Sequence, residues 1–208
     1  LLTGIALTQP ETLPAAHRAQ PGGTVAGFLR PTLSTLAKPG FVILLVQAGL
    51  LYSAYPAFVS IAPHLVVEFF GRPPTDFAWY FAFLPLGYFA GNGFVLKFGR
   101  GFGQHRLVFA GALFAACSCL LSLVLMAMGV RHPLALFIPA GAMLNFGLGL
   151  ALPTVSARAV TQSSPNIGSG WGLVGCAQQV VAAMSVQALG LFSADSPLMA
   201  PDRTSDPT

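Results

Sequence analysis

Amide and phenol side chains in the middle of apolar runs are the residues of this sequence best suited to bind a small molecule. They are Gln47, Tyr52, Tyr55, Asn145, Gln178 and Gln179. Lipid offers such groups no hydrogen-bond partner, so they usually face the interior of a helical bundle. Helical geometry puts Tyr52 and Tyr55 about 60° apart and Gln47 within roughly 80° of Tyr55, so one broad face can hold all three. Whether these side chains contact a ligand or bond a neighbouring helix is open.

The ionisable residues do not suggest a reaction centre. No acid lies in the middle of an apolar run, where a proton relay normally needs a carboxylate or a histidine, and His64 lies near the end of one. The sequence has no paired carboxylates and no HExxH, GxSxG or phosphate-binding loop. Its three cysteines, Cys117, Cys119 and Cys176, do not indicate a disulfide framework or a metal site. We therefore expect no enzymatic activity, no cofactor and no metal.

The segments that must position these residues are those of a membrane protein. Of the 208 residues 54% are hydrophobic and 8% are charged, whereas a soluble domain carries about a quarter charged residues. Each apolar run is long enough to cross a bilayer core of about 30 Å, and a helix crosses it with its backbone hydrogen bonds satisfied internally. The sequence predicts an all-α, polytopic helical bundle with about five spans, at residues 41–67, 77–96, 107–130, 133–157 and 167–194. We expect kinks at the interior prolines, which are Pro56, Pro63, Pro85, Pro139 and Pro153.

Basic residues between the apolar runs predict the orientation of the chain. One side of the predicted bundle carries Arg18, Arg30, Lys38, Lys97, Arg100, Arg106 and Arg158. The opposite side carries Arg72 and Arg131, with Arg203 in the tail. Lys and Arg are retained on the cytoplasmic side, so the first group should face the cytoplasm. The net charge of +4 comes from residues scattered singly, which argues against a nucleic-acid partner and for a lipid bilayer.

Several motifs in a fixed order resemble the bicyclomycin and chloramphenicol resistance (Bcr/CflA) branch of the major facilitator superfamily. The resemblance covers roughly residues 1–195. It is carried by the run YSAYPAFVSIAPHLVVEFFGRPPTDFAWYFAFLPLGYFAGN, the basic loop GRGFGQHR, the PET at residues 10–12, and the segments GLGLALPTVSARAV and GSGWGLVGCAQQ. They are similar to the cytoplasmic end of helix six, to helices seven and eight with the loop after them, and to helix ten, its cytoplasmic loop and the start of helix eleven of such transporters.

The resemblance implies the C-terminal half of a multidrug efflux transporter, a drug:proton antiporter of the bacterial inner membrane. Residues 1–8 would end a truncated transmembrane helix, 9–40 would be a cytoplasmic interdomain linker, 41–195 the transporter bundle, and 196–208 a disordered tail. The partners would be an N-terminal half that carries proton coupling, and amphiphilic drug-like molecules. The substrate pathway would include Gln47, Tyr52, Tyr55, Asn145 and Gln178.

The basic loop departs from the family pattern. Relatives carry a degenerate copy of G-x-x-x-D-R-x-G-R-R here, in which Arg100 would take the Asp position and Gly103 the later Gly. The candidate loop-motif residues of this chain are Gly91, Lys97, Arg100, Gly103 and Arg106. Because Arg100 stands where the family has Asp, the turn is purely basic. It is either an anchor of the cytoplasmic end or part of a gating network.

Two alternatives to transport remain open. Gly87 and Gly91, like Gly168 and Gly172, form small-xxx-small pairs that favour close helix association. The chain is therefore also compatible with a small membrane scaffold that modulates a partner. A membrane-embedded enzyme is a more distant alternative.

The charge asymmetry predicts which loops are accessible from outside an intact cell. In a chain whose natural cysteines are replaced by serine, Gly101→Cys and Ser164→Cys should be shielded from a membrane-impermeant thiol reagent. Thr75→Cys should be labelled, because its loop lies on the side with fewer basic residues. Labelling at residue 101 but not at residue 75 would reverse the orientation.

Overall fold

The structure is a computed structural model, and it describes residues 25–99, 101–130 and 132–194. The described residues form helices and turns without strands, so the prediction of an all-α bundle is confirmed. The interpretations of residues 1–8, of the PET motif, of Arg100 and of the tail lie outside the described residues.

Within the described residues, five helical spans are long and apolar enough to cross a membrane, which makes the chain a multi-pass membrane protein. We number them spans 1 to 5: Pro39–Glu68, Asp76–Phe98, Gln104–Ala127, Pro133–Gln162 and Ile167–Leu191. They match the five predicted stretches to within a few residues at each end. The helix of span 5 itself extends to Ala194.

Prolines and glycines mark several of the helix ends. Pro39 and Pro133 occupy the first turn of their helices, where a missing N–H costs no hydrogen bond. Gly71 and Gly129 follow spans 1 and 3 with φ of 62° and 73°, the left-handed conformation that a side chain disfavours.

The interior prolines have two different outcomes. Span 1 is α-helical over Pro39–His64, with Pro56 and Pro63 inside it, and ends in a π-helical turn, Leu65–Phe69. Pro153 likewise lies inside the helix Leu144–Gln162 of span 4.

Near Pro85, however, span 2 is divided into Asp76–Phe81 and Phe83–Phe98. The part of span 4 around Pro139 is a π-helix, Phe137–Met143, between Pro133–Leu136 and Leu144–Gln162. A proline lacks the N–H of a regular turn and its ring crowds the carbonyl four residues earlier, which accounts for both interruptions.

Part of the predicted linker is helical. Val25–Leu36 forms a helix before span 1 and packs against span 5. Its Thr35 is fully buried, and Asn166 Nδ2 donates a hydrogen bond of 3.5 Å to the carbonyl of Pro31. Its apolar residues recur at helical spacing, at Val25, Phe28, Leu29, Leu33 and Leu36. Leu29 and Leu33 of this stripe remain exposed.

Span 4 is the centre of the bundle, and it packs against spans 1, 2 and 3. Glycines bring it close to two neighbours. A Cβ built on Gly111 of span 3 would lie 2.5 Å from the carbonyl oxygen of Gly147, and one built on Gly149 would lie 3.0 Å from Gly91 Cα of span 2. These backbones touch directly, as in the small-residue interfaces of membrane helices.

Two apolar clusters fill the two ends of the bundle. One contains Phe41, Leu44, Ala48, Val108, Val155, Ala159 and Val174, and the other contains Phe58, Ala62, Val66, Leu84, Leu136, Phe137 and Ala140. We call them the 41–48 cluster and the 58–66 cluster after their residues in span 1. Phe137 anchors the second, with ring centroids 5.3 Å from Tyr80 and 5.5 Å from Phe58.

The glycine contacts predict a steric penalty at the interface of spans 3 and 4. Gly111→Ala would place a methyl group 2.5 Å from the Gly147 carbonyl oxygen, and overpacking of this kind typically costs about 1 to 3 kcal/mol. We expect the free energy of unfolding in detergent, measured by SDS titration, to fall by that amount.

Gly93→Ala is the matched control, because its Cβ would meet no heavy atom of the described residues within 4 Å. This variant should be as stable as the unmodified chain, or slightly more so, since alanine favours a helix interior. Equal stability of the two variants would contradict the close approach of spans 3 and 4.

Candidate ligand-binding site

Spans 1, 2 and 4 enclose an open cleft of about 340 Å³. Its size falls within the range of about 300 to 1,000 Å³ that is usual for small-molecule sites. It is lined by Tyr52, Tyr55, Phe81, Leu84, Pro85, Tyr88, Asn145, Leu148 and Leu152. Most of the wall is apolar or aromatic, and no Asp, Glu, Lys, Arg or His is among the described residues that form it.

The cleft lies midway along the spans. In span 1 its tyrosines fall between the 41–48 cluster and the 58–66 cluster, and in span 4 its residues 145–152 fall between Ala140 and Val155 of the same clusters. Packed apolar side chains therefore lie toward both ends of the bundle. This arrangement leaves space at the level where the spans would cross the middle of a bilayer.

Asn145 is the most deeply buried polar side chain of the wall, at 3% exposure. Its Nδ2 donates a 2.7 Å hydrogen bond to the carbonyl oxygen of Gly141, one turn earlier in span 4. That carbonyl belongs to the π-helical segment Phe137–Met143, where regular backbone pairing is altered. The same carbonyl also accepts a hydrogen bond from the N–H of Leu144, so the Asn145 amide adds a second bond at the junction of the two helix types.

The amide oxygen of Asn145 is a hydrogen-bond acceptor that faces the cleft. No residue in the described part of the chain donates a hydrogen bond to its Oδ1. No fully buried side-chain nitrogen or oxygen there lacks a partner either, so Oδ1 cannot be sealed in the protein interior. It is an accessible acceptor at the wall of a mostly apolar cleft.

The phenol groups of three tyrosines are the remaining polar groups of the cleft. Tyr52 and Tyr55 lie side by side on span 1, with ring centroids 6.5 Å apart and planes inclined by 40°. Tyr88 of span 2 adds a third phenol, and Phe81 adds an apolar ring. Each phenol can donate and accept a hydrogen bond while its ring packs against a flat ligand.

The structure brings together three of the five residues that the sequence predicts along a substrate pathway. Tyr52, Tyr55 and Asn145 line the same cleft, whereas Gln47 and Gln178 do not. Gln47 is half-buried beside Ala48 of the 41–48 cluster, and Gln178 is half-buried on span 5.

Sequence reasoning missed the contribution of span 2. The cleft is also lined by Phe81, Leu84, Pro85 and Tyr88. Only Tyr88 among these four is a polar residue within an uncharged run. That tyrosine carries the same signal as Tyr52 and Tyr55. The interruption of the helix near Pro85 is the other feature of span 2 that could have pointed to the site.

The residues of the predicted loop motif lie in two places, a contact between two helices and an exposed turn. Gly91 is buried in span 2 against Phe146 and Gly149 of span 4. Lys97, Gly103 and Arg106 are exposed, and Lys97 Nζ lies 5.3 Å from the centroid of the Phe98 ring. Elsewhere, at the end of span 1, His64 Nδ1 lies 3.8 Å from Glu68 Oε1.

A different lysine makes a specific contact at this end of the bundle. Lys38 Nζ donates hydrogen bonds of 3.0 and 3.1 Å to the carbonyl oxygens of Gln162 and Ser164. A cation is favourable at the C-terminus of a helix, where carbonyls lack partners within the helix. Lys38 therefore ties the start of span 1 to the end of span 4.

Comparison of the chain with protein-family models and with curated proteins finds no match. The resemblance to the major facilitator superfamily consequently stays a prediction carried by the motifs quoted above.

Proposed function

We propose that this chain is the C-terminal half of a multidrug efflux transporter of the major facilitator type, a drug:proton antiporter of the bacterial inner membrane. The observation that carries the proposal is the cleft between spans 1, 2 and 4, which lies midway along the spans and is lined by Tyr52, Tyr55 and Asn145. Substrate sites of secondary transporters lie near the bilayer midplane, often beside discontinuous helices. The interruptions in spans 2 and 4 adjoin this cleft.

The proposed transport cycle needs a second bundle. One bundle offers a single wall of a cavity, and alternating access arises when two bundles rock against each other around the site. An N-terminal half would supply the opposite wall and the residues that couple drug export to protons. The wall described above would contact amphiphilic, drug-like molecules through its rings.

The exposed glycines of span 5 also favour the alternative function of a membrane scaffold. A Cβ on Gly168, Gly172 or Gly175 would meet no heavy atom of the described residues within 4 Å. Small residues at a helix surface allow another helix to approach closely. This face of span 5 would contact either the partner of a scaffold or the other half of a transporter. Drug export is therefore the property that distinguishes the two functions.

The test uses bacterial cells that express this chain together with the six-span N-terminal half proposed to precede it. If Tyr55 lines the substrate site and Gln47 does not, Tyr55→Ala should change resistance for some drugs by about tenfold or more at constant protein level. A site residue that makes differential contacts with different drugs shifts specificity. Gln47→Ala is the matched control on the same span and should leave the drug profile unaltered.

Resistance is measured against several unrelated drugs and normalised to protein abundance. No resistance from the assembled halves would contradict the transport proposal and favour the scaffold. A loss in Tyr55→Ala that is uniform across drugs and follows abundance would contradict the assignment of the cleft.

A further inference from the structure

Asn145 uses only half of its side-chain amide inside the protein. The Gly141 carbonyl can accept but not donate, so the NH₂ group must face it, at 2.7 Å, and the oxygen must point away. Within the described residues that oxygen has no donor. Asn145 is only 3% exposed, and its Oδ1 thus presents an unpaired hydrogen-bond acceptor to the cleft.

The orientation of this amide is fixed by the backbone of span 4. The π-helical segment ends at Met143, and the N–H of Leu144 is also directed at the Gly141 carbonyl. Asn145 donates to the same oxygen from the following residue. Rotation of the amide would lose this bond and place two oxygens against each other, so Oδ1 stays toward the cleft.

The rest of the wall limits the charge of a ligand. No ionisable Asp, Glu, Lys, Arg or His is among the described lining residues. A charged ligand would lose its hydration without gaining a counter-ion, and burial of an unpaired charge is strongly unfavourable. Four aromatic rings, from Tyr52, Tyr55, Phe81 and Tyr88, instead offer flat apolar surface.

We propose that the cleft binds neutral aromatic compounds that carry an O–H or N–H donor, and that Asn145 Oδ1 accepts a hydrogen bond from that donor. The inference deepens the proposed transport function and rests on it for the claim that such compounds are exported. Asn145 would be a specificity-determining residue. Compounds without a donor would leave its buried oxygen unpaired when they displace water, and sites that contain buried polar groups discriminate strongly on this basis.

The experiment measures binding to the purified chain in lipid nanodiscs. The probes are 2-naphthol, which is neutral and has an O–H donor, and 2-methoxynaphthalene, which has similar size but no donor. Binding is followed by probe fluorescence, and the signal from empty nanodiscs is subtracted to remove partitioning into lipid. We expect 2-naphthol to bind about fivefold to tenfold more tightly, the effect of one hydrogen bond to a buried acceptor. The anion 2-naphthoate should bind more weakly than either.

Asn145→Leu should abolish the preference for 2-naphthol, so that the two neutral probes bind within about twofold of each other. Asn92→Leu is the matched control. Asn92 Nδ2 makes the same type of bond, 3.0 Å to the carbonyl of Tyr88 four residues earlier, but Asn92 does not line the cleft. This variant should keep the preference, although it also loses an amide-to-backbone bond within a span.

Several outcomes would overturn the inference. They are equal affinity of the two neutral probes for the unmodified chain, tighter binding of 2-naphthoate, and a 2-naphthol preference that persists in Asn145→Leu. If Asn145→Leu does not fold, Asn145→Ala replaces it, and the comparison of probes on the unmodified chain still decides. Failure of all probes to bind, with drug export intact, would contradict this inference alone. If the probes bind as expected but the assembled halves export no drug, the result would contradict the transport function alone.

Discussion

The direct contact of span 4 with the backbones of spans 2 and 3 is the constraint on which the bundle depends. Gly147 meets Gly111 on one side of span 4, and Gly149 meets Gly91 on the other. In a membrane the helices gain little from the hydrophobic effect, so packing at such small residues supplies much of the association energy. Because span 4 is held on these two sides, its face toward span 1 can be left less tightly filled midway along the bundle.

That less filled face is the cleft. Large side chains pack above and below it, in the 58–66 cluster and the 41–48 cluster, while Asn145 and the tyrosines occupy the level between them. The π-helical segment shifts the register of span 4 just before Asn145. Such segments are frequently found at functional sites, because the altered register presents side chains and carbonyls that a regular helix would hide. Asn145, whose Nδ2 is bonded to the carbonyl of Gly141, lies just after this segment.

The five spans were predictable because a bilayer imposes long apolar runs, and these are visible without knowledge of any contact. Tyr52, Tyr55 and Asn145 could be singled out because polar groups in such runs are costly unless they face the interior. The helix Val25–Leu36 was missed although its apolar residues recur at helical spacing, because the Pro, Gly and Thr content of residues 9–40 favoured a linker. Its packing against span 5 is a long-range property that local periodicity does not contain.

The same reason explains the partial prediction of the site. Polarity marks residues that face an interior, but it does not tell which spans are neighbours. Gln47 lies on the same helix as Tyr55 and yet does not line the cleft. The apolar residues contributed by span 2 carry no chemical signal of their own. Their role follows from the approach of span 2 to span 4 at Gly91 and Gly149.

The central claim is that the cleft between spans 1, 2 and 4 is a site for aromatic small molecules, and photoaffinity labelling tests it most directly. The chain in lipid nanodiscs is irradiated with a diazirine derivative of 2-naphthol, with and without excess 2-naphthol, and the adducts are located by mass spectrometry. The account predicts adducts on residues 52–55, 81–88 and 145–152 that disappear with the competitor. Adducts confined to the exposed apolar face of span 3, around Phe109, Leu113 and Leu120, and insensitive to the competitor would contradict it.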